Sequence, residues 1–285
     1  MALDRVHSSE TQLFYTGVRI PAIQSIEFST DKSSTDLRPL GELSYKERIL
    51  NANQTTNLSY SILVTTGASG FDPFYTFQQQ DEGFLSTGSF GFNIKDFAGE
   101  NTITGAYLSS YSLEGSVGDF VRGSVSYEAD SISYNTANSI NFSNMSNDEF
   151  SVFIPKDIEI TCAGINSGAA RTNGFNIQNF SVGVDLSRKL VTRVGSRTPN
   201  FRYPELPVDG SLNISFLKNA VTGIDLSPLV VDTGIINVNL KNDDGTTSMT
   251  YTMNQCSLKS VSESIDLDGN NTINFSYIFC VKKWE

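Results

Sequence analysis

Two stretches decide how this chain is read: IQSIEFSTDKSSTDLRPLG, Ile23 to Gly41, and IQNFSVGVDLSRKLVTRVG, Ile177 to Gly195. Both open on Ile-Gln, carry Asp eight residues on (Asp31, Asp185), Ser two further (Ser33, Ser187), and close on Gly. The spacing between them is 154 residues throughout. At that same spacing Leu58-Ser-Tyr-Ser-Ile-Leu63 faces Leu212-Asn-Ile-Ser-Phe-Leu217, each alternating apolar and mostly polar residues as a strand with one buried face does. Asp72-Pro73 and Ser227-Pro228 follow, each a capping side chain before a proline at a first helical position. The spacing then drops to 146, with Phe90, Phe92 and Ile94 facing Ile236, Val238 and Leu240. This places about nine extra residues in the first stretch, between Phe77 and Gly88. Ser112-Leu113 faces Ser257-Leu258, and Val121, Val125 and Tyr127 face Ile273, Phe275 and Tyr277.

One identity of this kind means little, but the ordered series of strand, long loop, strand, capped helix, strand, turn and two strands is what an internal duplication produces. A period of about 150 residues is too long for a solenoid or a propeller blade. The expected architecture is mainly β: two tandem copies of a β-sandwich or partly open barrel, each with one short helix and a long inter-strand loop. The expected domains are 1–145, with an N-terminal arm, and 146–285. The join is placed in the polar stretch from Asn135 to Glu149.

The 285 residues are 39% hydrophobic and 18% charged, with a net charge of −11. Residues 1–150 hold 18 acids and 8 bases, and residues 151–285 hold 13 acids and 12 bases. Such an acidic chain is a poor candidate for gripping nucleic acid through phosphates. No apolar run approaches the ~20 residues of a membrane helix, and Met-Ala-Leu-Asp-Arg offers no signal-peptide core. Synthesis inside a cell and no membrane partner are therefore expected. Cys162, Cys256 and Cys280 have neither a pairing partner count nor a Cys-x-x-Cys spacing, and read as small buried hydrophobes.

Chemistry-bearing patterns are missing. The single histidine, His7, sits near the N-terminus, which leaves triad and His-metal chemistry without material. Asp266 to Asn271 faintly resembles a calcium loop, but Gly269 falls two places early and Tyr277 stands at the twelfth position in place of a bidentate Glu, so the stretch reads as a hairpin turn. No phosphate-cradling glycine loop occurs. No catalytic residue, metal ligand or cofactor is assigned. The two long loops carry the clearest contrast. Asp36, Arg38, Glu42, Lys46 and Arg48 mix signs in the first, whereas Arg188, Lys189, Arg193, Arg197 and Arg202 make the second basic. Opposite surfaces of this kind are candidates for contacts between copies.

The opening GVRIPAIQSIEFSTD, Gly17 to Asp31, and the order of elements after it resemble the tail-tube proteins of long-tailed bacteriophages, in particular those with a duplicated tube domain. The resemblance implies a structural virion protein, made in the host cytoplasm, with no catalytic residues. Three chains would give a pseudo-hexameric ring. Rings would stack through the long loops into a hollow tail tube that meets other tail proteins, and DNA would pass through it without specific binding. A tail-end ring, such as a baseplate hub or tube initiator, is the nearest alternative. A two-domain β-sandwich adhesin or carbohydrate-binding module is a further one, with Phe71, Phe74, Tyr75 and Phe77 as its platform.

Overall fold

The computed structural model describes residues 11–37, 47–65, 72, 90–96, 99–135, 152–153, 158–162, 175–191, 201–218, 234–242, 246–265 and 271–281. These residues are mainly β. The strands of the first half are β1 (Gln12–Tyr15), β2 (Val18–Arg19), β3 (Ile23–Leu37), β4 (Glu47–Leu63), β5 (Phe90–Lys95), β6 (Glu100–Ser116), β7 (Arg122–Ala129) and β8 (Ser131–Asn135). Those of the second are β9 (Ile158–Cys162), β10 (Phe175–Asp185), β11 (Arg188–Val191), β12 (Phe201–Pro204), β13 (Asp209–Lys218), β14 (Gly234–Lys241), β15 (Thr247–Ile265) and β16 (Asn271–Cys280). All but β11 and β12 belong to one 14-stranded antiparallel sheet. The helices expected at Pro73 and Pro228 lie outside the described residues, as does the join beyond Asn135.

The alternation read in the sequence becomes the core. Leu58, Tyr60 and Ile62 point inward, as do Leu212, Ile214 and Phe216, and all six are buried. Full burial of one such side chain is worth roughly 1.5–3 kcal/mol, so these short runs fix which face of each strand turns inward. Aromatic rings fill the first half, with Tyr60 stacked on Tyr127 at 6.2 Å and Phe92 tilted against Tyr127 at 4.8 Å. Asp72, expected as a helix cap, is buried and accepts hydrogen bonds from the hydroxyls of Tyr111 on β6 and Tyr251 on β15, both at 2.8 Å. Its carboxylate thus ties the two halves into one core, and burial raises the Tyr111 hydroxyl well above its usual pKa.

The ladders of the first half recur in the second. Ile26 pairs Tyr60 and Phe28 pairs Leu58; Phe180 pairs Ile214 and Val182 pairs Leu212. Both ladders carry a bulge at the same place, at Gln24 and Gln178, the glutamines of the two Ile-Gln pairs. Leu58 then pairs Tyr127 as Leu212 pairs Tyr277, and Leu108 pairs Tyr127 as Leu258 pairs Tyr277. Three matches made from sequence are shifted. Gly123, rather than Val121, holds the place of Ile273, since Gly123 pairs Ile62 where Ile273 pairs Phe216. Phe92, rather than Phe90, holds the place of Ile236, since Phe92 pairs Ile103 where Ile236 pairs Met253. A slip of two leaves a strand's buried face unchanged, so alternation could not detect it. Leu108, rather than Leu113, holds the place of Leu258. A Ser-Leu identity carries little weight in strands this rich in serine.

The strands β6 and β15 each change neighbours partway along their length. Residues 100–106 of β6 pair β5, and residues beyond pair β7. Residues 247–256 of β15 pair β14, and residues beyond pair β16. Each strand turns its corner through a left-handed residue, Gly105 (φ +66) and Gln255 (φ +51). At Gly105 a Cβ would lie 2.2 Å from Asp130 Oδ2, so glycine is required there on two counts. Replacing Gly105 with Gln should cost about 2 kcal/mol or more, from the ~1–2 kcal/mol of a left-handed L-residue plus the collision. Gln255→Gly should stay within about 1 kcal/mol of neutral, because relief of the same strain is offset by a freer unfolded chain. Urea midpoints at constant slope measure both, and equal losses at the two sites would reject the assignment.

Candidate functional site: a polar sheet face and its strand edges

Within the large sheet, β3, β4, β7, β6, β10, β13, β16 and β15 run side by side as neighbours. One face of this run is core. The other is small and polar: Thr55, Asn57, Ser59 and Ser61 on β4, Ser110, Ser112 and Ser116 on β6, and Thr272, Asn274 and Ser276 on β16. Hydroxyls and amides bond across the strands, as between Ser25 and Ser61 at 2.6 Å and from Asn213 Nδ2 to Ser181 Oγ at 3.3 Å. At the paired positions of this face the acids are Glu27, Asp31, Glu114, Glu128, Asp185 and Asp209, against Arg122, whose Nη2 bonds Asp119 Oδ1 at 2.9 Å.

The two halves meet where β10 joins the outer edge of β6. Seven residue pairs run from Asn179 opposite Ser116 to Asp185 opposite Ser110. Past the ends of that ladder, Val117 N donates to Gln178 O at 2.8 Å and Leu186 N to Ser109 O at 2.7 Å. The bulge at Gln178 therefore aims a carbonyl at the neighbouring strand. Gly115 leaves room for the Phe180 ring, which a Cβ would meet at 2.6 Å.

The basic loop of the second half lies over one end of this joint. Its strands β11 and β12 pair as a two-stranded sheet. Arg188 Nε donates to Leu108 O at 2.7 Å, and its guanidinium sits 5.6 Å from the Tyr107 ring centroid. Arg202, 3% exposed, donates to Glu128, to Asp130 at 3.5 Å and to Ala129 O at 3.4 Å. Arg188 and Arg202 thus dock on the first half of the same chain, and Lys189 beside them is exposed. Burial raises the Asp130 carboxyl above its usual pKa against the pull of Arg202. Burial likewise lowers that of Arg188. Among the other loop residues singled out by sequence, Asp36 and Arg48 pair in the extended hairpin of β3 and β4. Arg38, Glu42, Lys46, Arg193 and Arg197 lie outside the described residues.

No group of three or more His, Cys, Asp or Glu able to hold a metal occurs among the described residues. No helix among them is long and apolar enough to cross a membrane. Cys256 is a buried thiol whose pKa burial pushes up to about 11, and neither it nor Cys280 is in a disulfide. No protein-family model matches the chain, and no curated protein matches it at a significant level.

Because a raised carboxyl pKa means the folded state holds the proton more tightly, Asp130 weakens the fold as pH rises through its folded pKa, and Arg202 limits that loss. Arg202→Met should therefore cost about 2–3 kcal/mol near neutral pH. This is below the ~3–5 kcal/mol of a fully buried pair, because the Glu128 side chain is 36% exposed. The loss should shrink as the pH is lowered. Arg202→Lys should recover only part of it, lacking the planar fork that reaches three acceptors. Denaturant unfolding across pH measures this, and a pH-independent loss in Arg202→Met would contradict it.

Proposed function

We propose that this protein is a structural subunit: a tandem duplicate whose chains form a ring, with rings stacking into a hollow tube like the tail tubes of long-tailed bacteriophages. The observation that carries this reading is the polar run of eight strands. It extends across both halves without a break, is core on one side only, and has two edges paired on one side only among the described residues, that of β3 and that of β15 beyond Cys256. A sheet of this form is a piece of wall. Unpaired edges invite further strands, and a contact between unlike faces closes into a ring when the rotation allows. Three chains would supply six like positions.

The polar face is the side we assign to the lumen. Short hydroxyl and amide side chains leave a smooth surface, and six acids, of which Glu128 is held by Arg202, against Arg122 give it the sign of DNA itself. Phosphates are then repelled rather than bound, so a duplex can pass without being held. The basic loop containing Arg193 and Arg197 is assigned to contacts between stacked rings.

Negative-stain electron microscopy of the concentrated protein should reveal rings or tubes with a central channel. Protein that sediments as a monomer up to its solubility limit would overturn the proposal. Reversing Arg193 and Arg197 to Glu should leave folding and ring formation intact while stopping tube growth. Tubes of normal length from that variant would remove the loop from the stacking contact.

A further inference from the structure

We infer that the outer edge of β3 in one copy of this chain pairs antiparallel with the end of β15 in the next, with Ile26 opposite Ile265 and Asp31 opposite Ser260. The inference rests on the assembly proposed above and names its joint. Its template is the ladder between β10 and β6 inside the chain. Position by position, β3 lies 154 residues before β10, with the same partners on β4 and β13 and the same bulge. Similarly, β15 lies 150 residues after β6, with the same pairing to β16 and the same left-handed corner. Moving the internal ladder by these two intervals gives the register above. The corner at Gln255 frees the end of β15 from β14 just as Gly105 frees β6 from β5, so that β6 can receive β10.

Burial supports the match. At the internal joint the inward side chains Phe180, Val182, Val184, Tyr111 and Leu113 are 0–3% exposed. At the corresponding free positions Phe28 is 36%, Val261 45% and Ile265 71% exposed. Apolar groups standing in water on both edges, at sites that are core elsewhere in the same chain, mark surfaces awaiting cover. Sizes also compensate. The internal pair is Phe180 against Gly115, whose missing side chain admits the ring; the corresponding pair is Ile26 against Ile265. Glu263, at the place of Leu113, has its carboxylate held by Asn271. On the polar side the pairs are short, with Ser29 meeting Ser262 where Gly183 meets Ser112. The occupant is thus a second copy of this chain: no other partner would bring a strand bulged at the same residue and an inward row of fitting size.

Cysteine pairs test the register. Gly183 and Ser112 lie between the hydrogen-bonded pairs of their ladder, where Cα atoms approach to roughly 4.5 Å and a disulfide can form. With Cys280 replaced by Ser, Ser112→Cys/Gly183→Cys should close a bond within one chain, which shows that such pairs are compatible with the fold. Ser29→Cys/Ser262→Cys should instead give covalent multimers on mild oxidation, ending at the species that corresponds to a closed ring. The pair shifted by two, Ser29→Cys/Ser264→Cys, should behave like the single variants. Rings or tubes in micrographs without cross-linking of Ser29→Cys/Ser262→Cys, or with stronger cross-linking of the shifted pair, would overturn this joint and leave the ring intact. Monomers throughout, with no cross-link, would overturn both.

Discussion

A strand edge in a sheet is a row of donors and acceptors that must be satisfied by something, and the fold is organised around how that requirement is met. Between the halves it is met by the ladder of β10 on β6. For that ladder to exist, β6 must leave β5 partway along, which the left-handed corner at Gly105 permits. Above the ladder Arg188 and Arg202 fasten the loop of the second half to carbonyls and carboxylates of the first. Below it Asp72 collects hydroxyls from both halves. A break in the β6–β10 pairing would leave each of these groups without its partner.

The two faces of the long sheet obey different demands. On the inner face, size and apolarity are dictated by packing. On the outer face serine and asparagine prevail, residues with little to offer a strand in propensity or in cross-strand packing. The inner face must therefore supply the stability, and the composition of the outer face has been set by something other than folding. In the assembly proposed above, its acids and hydroxyls would line the surface along which DNA passes.

Much of this was open to reading in the sequence. Alternation at Leu58 to Leu63 and Leu212 to Leu217 identified the strands and their buried faces, because one methylene-rich row per strand is a strong and local signal. The Ile-Gln repeat was visible, but its meaning as a bulge was not. The clue was there, since Ile23 and Ile26 both turn inward at a spacing of three, as do Ile177 and Phe180, in strands that otherwise repeat every two. Leu108 and Tyr111 repeat that clue on β6, whose ladder with β7 has a bulge between them, at Ser109. The charge contrast of the loops was also legible, but not that Arg188 and Arg202 would turn onto their own chain. Nor could Asp72 be recognised as a buried link, because its tyrosine partners lie 39 and 179 residues away and nothing local announces them.

A joint made within one chain also changes how the proposed assembly is counted. The joint between β6 and β10 forms within a molecule, so its partner is present at an effective concentration set by the tether, in the millimolar range for a short flexible linker and independent of dilution. In the assembly proposed above, only the joints between chains would require an encounter in solution. The proposed ring of six like positions would then need two encounters in place of five, and half of its joints would be settled when each chain folds. The cost of arranging partners is thereby moved from the moment of assembly to the moment of folding.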